Sequence, residues 1–213
     1  MLKSKFLLFS FLVLSVATFA QEMKDIFERD TKITWLGLDL TAAKLIGDRE
    51  RFGSTSDVMH LMESWNDIMI KERDKFNVRS AIQKDAINEA FDVTKEHNAS
   101  LDISEIFSND DKDHMRLRQS DVEAIVADYD FKGNSGIGVM FNVESFSKKQ
   151  DEALVWITFV NMDTKEVFFT ERLSGQPGGA GLRNYWANAV YDIITKMRRK
   201  EFENWRKKYY RKF

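Results

Sequence analysis

The stretch LVWITFV at residues 154–160 decides the fold that this sequence predicts. Its seven residues carry no charge, which is typical of a strand whose two faces are both covered. Residues 137–144 come before it and alternate apolar with other side chains, so they predict a half-buried strand. The turn residues 163–165 lead into a third apolar segment, 166–173. Together the three segments predict an antiparallel meander in the second half of the chain.

Two amphipathic helices are predicted to cover this sheet. The first runs over 57–73, with Ser56 or Asp57 as its cap. The second follows the glycine-rich loop 175–181 and begins near Asn184. We expect the first part of this second helix to pack on the sheet and its last part to project beyond the domain. In the first predicted helix, the apolar residues with helical spacing are Val58, Leu61, Met62, Trp65, Ile68 and Met69.

The remaining segments give less regular patterns. Residues 33–40 (ITWLGLDL) predict a first strand, and a capping box at 120–123 predicts a short helix that runs to Tyr129. Residues 76–96 fit either short strands or another helix, and residues 97–119 are mostly polar loop.

Composition favours one folded domain. The chain has 213 residues, one proline and no cysteine, and it contains neither a low-complexity linker nor an internal repeat. A domain of this size buries enough apolar surface to fold without disulfides. We therefore predict a single α/β domain of the α+β type over 21–200. It has a mostly antiparallel sheet with a C-terminal meander, packed by two main helices at 57–73 and 184–200.

The N-terminal segment, residues 1–20, has the features of a secretory signal peptide in their usual order. Lys3 and Lys5 precede an apolar run over 6–16, and small residues lead up to Ala20. The run is too short for a membrane-spanning helix. We predict cleavage after Ala20 and a mature protein without a transmembrane segment, located in the periplasm or secreted.

The last segment, residues 201–213, is predicted to be a basic, aromatic, helical tail. From Lys196 to Phe213 the chain has nine basic and two acidic residues, although the net charge of the whole chain is −2. Such a helix binds acidic protein partners or anionic membrane surfaces, and export argues against nucleic acid. The alternative is a solvated helix end whose aromatic side chains fold back onto the domain. The candidate contact residues are Arg198, Arg199, Lys200, Trp205, Arg206, Lys207, Lys208, Tyr209 and Tyr210.

The glycine-rich loop is a second candidate site, for an anionic ligand. Free backbone N–H groups at the start of a helix favour negative charge, and a neighbouring arginine would strengthen the site. The loop lacks the ending of a phosphate-binding P-loop, however, and a strand-to-helix turn that needs positive φ explains its glycines as well. The candidate ligand-binding residues are Gly178, Gly179, Gly181, Arg183 and Asn184.

No metal site, cofactor or catalytic residue is predicted. His60, His97 and His114 lack the spacing of metal ligands, and the acidic segment around Asp111 departs from a calcium-binding loop. No nucleophile motif accompanies the serines. Asp39 is the one carboxylate within an apolar strand, and it could serve a cryptic active site. A structural hydrogen bond is the simpler explanation of its position.

The chain contains the stretches TWLGLDLTAAKLIG, ESWNDIMIKE, LVWITFV, NMDTKEV, FFTERLSG and GGAGLRNYWANAVYDII. These stretches resemble a family of exported proteins from Bacteroidota-type Gram-negative bacteria. The resemblance covers most of the chain after residue 20, and the segment GLRNYWA at 181–187 is its most specific part. This family is a domain of unknown function, so the resemblance implies export and a single domain but no catalytic residues. At the level of the fold alone, the chain is also similar to envelope domains such as that of the curli-secretion lipoprotein.

The sequence therefore favours an exported, periplasmic, non-enzymatic binding or adaptor protein of the cell envelope. Its expected partner is an envelope protein or an anionic surface that contacts the basic tail. The alternatives are a module that binds an anionic small ligand at the glycine-rich loop, and a cryptic enzyme with its pocket around Asp39.

Overall fold

The computed structural model describes residues 22–210, so the predicted signal peptide lies outside the described residues. This part of the chain forms a seven-stranded sheet and six α-helices. The strands are β1 Ile33–Asp39, β2 Lys44–Ile46, β3 Ile87–Glu89, β4 Phe107–Ser108, β5 Ile137–Ser147, β6 Glu152–Asn161 and β7 Val167–Gly175. The helices are α1 Thr55–Lys71, α2 Val78–Ala81, α3 Phe91–Asn98, α4 Gln119–Ala127, α5 Leu182–Lys196 and α6 Phe202–Tyr209. A π-helical turn at Met197–Glu201 joins α5 to α6.

Strand β5 is the centre of the sheet, and all eleven of its residues are buried. One edge of β5 pairs with β6, which is antiparallel to it and is followed by antiparallel β7. The other edge pairs with two strands in succession, because β1 is parallel to residues 137–142 and β2 is parallel to residues 145–147. Beyond them, β3 pairs with β1 and β4 pairs with β2, both in parallel.

The prediction of a mostly antiparallel sheet is wrong. Four of the six strand pairings in residues 22–210 are parallel, and antiparallel pairing is confined to the segment β5–β6–β7. Parallel neighbours need long crossover connections, and helices α1, α3 and α4 lie in these connections. Strands β2, β3 and β4 have only two or three residues each, which is too few to display a period in the sequence.

The predicted helix caps lie too late in the chain. Helix α1 is capped by Ser54, which accepts a hydrogen bond from the Asp57 N–H at 3.2 Å and donates its own N–H to the Asp57 carboxylate at 2.9 Å. At the start of α4, the Arg118 N–H donates to the Asp121 carboxylate at 2.7 Å. Ser120 is therefore inside α4 and does not cap it.

The main apolar core lies between one face of the sheet and helices α1, α5 and α6. Phe146 of β5 is at its middle, with its ring centroid 4.6 Å from that of Trp65 and 5.0 Å from that of Trp186. A smaller cluster on the other face includes Tyr129 and Met140. Removing these large side chains from water is the main favourable contribution to folding.

The C-terminal helix does not project from the domain, which corrects the prediction for its last part. Met197 and Phe202 are both fully buried although they lie five positions apart, and Trp205 is 4% exposed. In a regular α-helix a buried face recurs every three or four residues. The π-helical turn contains one residue more, so the buried face continues through α6 with its register moved by one position.

The outer edge of β1 is only partly covered by a strand, because β3 pairs with residues 33–35 alone. Two asparagines, which we call the amide clamp, satisfy the N–H and carbonyl of Leu38 and the N–H of Leu40, which lie beyond this pairing. Asn66 of α1 accepts from the Leu38 N–H at 2.7 Å and donates to the Leu38 carbonyl at 2.9 Å. Asn98 of α3 accepts from the Leu40 N–H at 2.7 Å and donates to the same Leu38 carbonyl at 2.9 Å.

Replacing Asn66 by alanine is expected to lower the free energy of unfolding by about 2–3 kcal/mol, because the Leu38 N–H is left buried without an acceptor. Urea denaturation measures this change. The control is Asn188→Ala in α5, where the side chain makes one long contact of 3.5 Å and the expected loss is about 0.5 kcal/mol or less. Equal losses for the two variants would contradict the role of the amide clamp.

Candidate functional site

A cavity of about 390 Å³ lies between α1 and α3, beside the carboxyl end of β1. Its volume and largely apolar walls are in the range of small-molecule sites in proteins. Met59 on α1 lines this cavity and is 51% exposed. The apolar residues of its wall are Leu40, Met59, Met62, Ala99, Leu101 and Ile103.

Polar groups also line this cavity. Both amides of the clamp, Asn66 and Asn98, line it. Lys95 of α3 and Asp67 of α1 also belong to the lining, and Lys95 donates to the Asp67 carboxylate at 2.6 Å. This hydrogen bond lowers the pKa of the Asp67 carboxyl below its ordinary value. Glu63 adds a second carboxylate to the lining, so the charged groups of the cavity sum to a negative value.

The cations of the C-terminal helix fall into two groups. Lys196, Arg206 and Lys208 are held by contacts within the domain: Lys196 pairs with Asp192 at 3.0 Å, Arg206 with Glu203 at 2.8 Å and Lys208 with Glu171 at 2.5 Å. The other four are exposed, and within residues 22–210 their side chains make no hydrogen bond or ion pair. We call these four the basic surface: Arg198, Arg199, Lys200 and Lys207.

The aromatic residues of the predicted tail mostly pack against the domain. Trp205 is buried in the core, and the Tyr209 ring stacks on Phe169 with centroids 4.5 Å apart. The Tyr209 hydroxyl donates to the Glu171 carboxylate at 2.6 Å, and burial together with this contact raises the pKa of Tyr209. Tyr210 is 39% exposed, and its hydroxyl donates to Glu28 at 2.8 Å. The folded-back alternative therefore describes these side chains.

The backbone of the glycine-rich loop explains its glycines without a ligand. Gly179 and Gly181 have φ values of +92° and +76°, which favour glycine. The Gly178 N–H donates to the Tyr185 carbonyl at 3.0 Å. The side chain of the exposed Arg183 donates to the neighbouring Asn184 at 3.3 Å, and the Arg183 carbonyl accepts from the Trp65 indole at 3.1 Å. The structure thus places the five candidate residues together at the start of α5, and anion binding by them stays a prediction.

Asp39 has the structural role that the sequence favoured. It is 1% exposed and accepts hydrogen bonds from the Asn142 amide at 2.8 Å and from the Thr41 hydroxyl at 2.7 Å. The Tyr129 hydroxyl is close to this carboxylate, and burial, reinforced by Asp39, raises the pKa of Tyr129 well above its ordinary value. The hydrogen bonds of Asp39 connect β1 to β5 and to the residues that follow β1.

Three residues near α4 have the composition of a catalytic triad. His114 Nδ1 lies 2.8 Å from Ser145 Oγ, and His114 Nε2 lies 3.2 Å from the Glu152 carboxylate. Ser145 is nevertheless fully buried within β5, and its hydroxyl donates to the His114 carbonyl at 2.9 Å. A nucleophile has to contact its substrate. We therefore interpret this group as a structural contact that fixes the loop before α4 on the sheet.

In the described part of the chain, no three acidic or histidine side chains lie close enough together to hold a metal ion. Among the helices of residues 22–210, none combines the length and the apolar composition needed to cross a bilayer.

Comparison with known proteins gives little. No family model matches this chain, and no curated protein matches it. Among solved structures, the chain is similar to the C-terminal domain of LpoB from Salmonella enterica, with 8% sequence identity and a TM-score of 0.29. That similarity covers 73% of this chain and 96% of the LpoB domain. A TM-score this low assigns neither fold nor function, and the resemblance to exported proteins of unknown function stays a prediction.

Sequence reasoning did not find the cavity between α1 and α3. Met59 and Met62 lie three positions apart, as residues on one face of a helix do. The sequence alone does not show whether another element packs on that face or whether the face lines a cavity. Asn66 lies beside Trp65 on the buried side of α1, and a polar residue there does indicate a buried hydrogen bond. Its partner Leu38 is 28 residues away, however, so only the tertiary structure identifies the contact.

At the end of β7, Gly175 is required by the close approach of α5. A Cβ atom at Gly175 would lie 2.1 Å from the Ala189 carbonyl oxygen, which belongs to the helix backbone. Gly175→Ala is therefore expected to destabilise the protein by about 2 kcal/mol or more, measured by thermal or urea denaturation.

The matched control for Gly175→Ala is Gly178→Ala in the same loop. A Cβ atom there meets only the Asn188 side chain, at 3.1 Å, and that side chain can move. We expect a change of about 0.5 kcal/mol or less. If Gly178→Ala were the more destabilising of the two, the account of this loop would be wrong.

Proposed function

We propose that this chain is an exported, periplasmic, non-enzymatic adaptor protein of the cell envelope that binds an acidic protein surface. The basic surface, formed by Arg198, Arg199, Lys200 and Lys207, is its proposed contact. Export rests on the signal-peptide features of residues 1–20.

The observation that carries this proposal is the selective exposure of these cations. The π-helical turn buries Met197 and Phe202 on either side of three consecutive basic residues. Because the three lie between two anchored positions, they are held on the solvent side of a helix whose other face is part of the core. By helical spacing, Lys207 lies two turns further along the same side as Lys200. A rigid display of cations loses less conformational freedom on binding than a flexible tail would lose.

The packing of the aromatic residues favours a protein partner over a membrane. A helix that lies on a membrane surface inserts an exposed apolar face among the lipids. In this helix, Trp205 and Phe202 are in the core of the domain, and Tyr209 is stacked on Phe169. The exposed face therefore offers charge without an apolar anchor, which suits an acidic protein surface.

The buried polar groups support the non-enzymatic part of the proposal. Asp39 and Ser145, the two residues whose type and surroundings best suit catalysis, are almost completely buried and are engaged in hydrogen bonds between elements of the fold. Substrate could reach neither side chain without local unfolding.

The test is cross-linked co-purification from native envelopes at low and high salt, followed by identification of the captured protein. The variant replaces Arg198, Arg199 and Lys200 by glutamine. Each exposed ion pair contributes up to about 1 kcal/mol, so the loss of three is expected to weaken capture of an acidic partner about tenfold or more. Capture by the unaltered protein should also fall with added salt, because the contacts are exposed.

The matched control replaces Lys32, Arg51 and Lys112 by glutamine, which removes the same charge from exposed cations elsewhere. This control is expected to retain the partner. If both variants lost capture of the partner equally, the effect would be due to net charge and not to the basic surface. If neither variant lost capture, the contact would lie outside the basic surface. Sedimentation with anionic vesicles tests whether the basic surface binds a membrane instead. Binding to vesicles without capture of a protein would contradict the adaptor proposal and indicate a protein that binds membrane surfaces.

A further inference from the structure

We propose that the cavity between α1 and α3 is a binding site for a small, uncharged molecule with an apolar body and one hydrogen-bond acceptor, such as a carbonyl group. The inference is independent of the basic surface, because it rests on α1, α3 and the end of β1. It assigns a ligand class to a part of the molecule that the adaptor proposal does not use.

The volume and the apolar walls of the cavity favour a ligand whose body is apolar. At about 390 Å³, it has the volume of roughly a dozen water molecules of the liquid. Met59 and Met62 form one wall and Leu101 and Ile103 form part of the other. Methionine side chains adapt to ligands of different shape, and displacing water from such walls is favourable. Met59 is 51% exposed, so its side chain is accessible to a ligand.

The amide clamp provides the polar selectivity. Asn66 and Asn98 each use the carbonyl oxygen and one N–H of the side-chain amide on the backbone of β1. Every asparagine amide has two N–H groups. The second N–H of each amide has no acceptor among the described residues, and both amides line the cavity. Asn66 is 1% exposed, whereas Asn98 is only partly buried, so the spare N–H of Asn98 is the donor that a ligand acceptor in the cavity would satisfy.

The charges of the cavity argue against an ionic ligand. Lys95 is already paired with Asp67 at 2.6 Å, and Glu63 leaves the lining with an excess of negative charge. An anion would be repelled by these carboxylates, and a cation that entered would meet the amide N–H donors of the lining. A neutral acceptor avoids both costs, since it accepts from the amides without carrying a charge into a partly apolar site.

Methyl NMR of the purified protein with labelled methionines tests the site directly. Three probes of equal chain length are titrated: 2-octanone, octanoate and octylammonium. We expect 2-octanone to shift the Met59 and Met62 methyl signals with a dissociation constant of about 1 mM or below, as suits a ligand of this size. Met115, which is exposed outside the cavity lining, and Met140, which is buried in the second cluster, should not shift. The two ionic probes should bind at least tenfold more weakly.

Two variants test whether the methyl shifts report binding in the cavity. Met59→Glu places a charge on its wall and is expected to weaken binding of 2-octanone at least tenfold. Met115→Glu makes the same change at a side chain that is 60% exposed elsewhere, and it should leave binding within twofold. Thermal denaturation of both variants confirms that they are folded.

Three results would overturn the proposal. The first is the absence of any shift of Met59 and Met62 up to the solubility limit of 2-octanone. The second is equal or tighter binding of octanoate or octylammonium, which would refute the neutral ligand class. The third is unchanged binding to folded Met59→Glu, which would place the probe outside the cavity.

Discussion

The structure depends on one requirement, which is that strand β5 pairs along both edges over its whole buried length. Strand β1 ends at Asp39 and reaches only part of the way, so β2 continues the pairing on the same edge. The outer neighbours of these two strands are very short, which leaves backbone groups near Leu38 without a strand. The amide clamp satisfies those groups and fixes α1 and α3 against the edge. The cavity is the space that remains between these two helices.

The elements that could be predicted from sequence are those with long, regular patterns. The meander strands β5, β6 and β7 lie where alternation and the apolar run at 154–160 indicated, and the first amphipathic helix is present within two residues of its predicted bounds. The parallel half of the sheet could not be predicted, because β2, β3 and β4 are too short to have a period. Their pairing depends on crossovers through residues 76–119, which the sequence left open.

The candidate sites also differ in how much of them could be predicted from the sequence. The basic residues at 198–200 were visible in the sequence as charge, but their fixed exposure follows from the π-helical turn. The five-residue step from Met197 to Phe202 is a signal for that turn, since a regular helix would bring Lys200 or Glu201 to the buried face. The cavity depends on contacts between Asn98 and Leu38, 60 residues apart, and local patterns contain no trace of such a contact.

The central claim is that the side chains of Asn66 and Asn98 replace a strand at the edge of β1. Hydrogen exchange of the Leu38 and Leu40 amides measures this most directly, because their N–H groups donate to those side chains at 2.7 Å. The account predicts that both amides exchange about as slowly as amides in the centre of β5, which open only with global unfolding. Exchange as fast as in exposed loops would mean that this edge is open, and the arrangement of α1 and α3 around it would be contradicted.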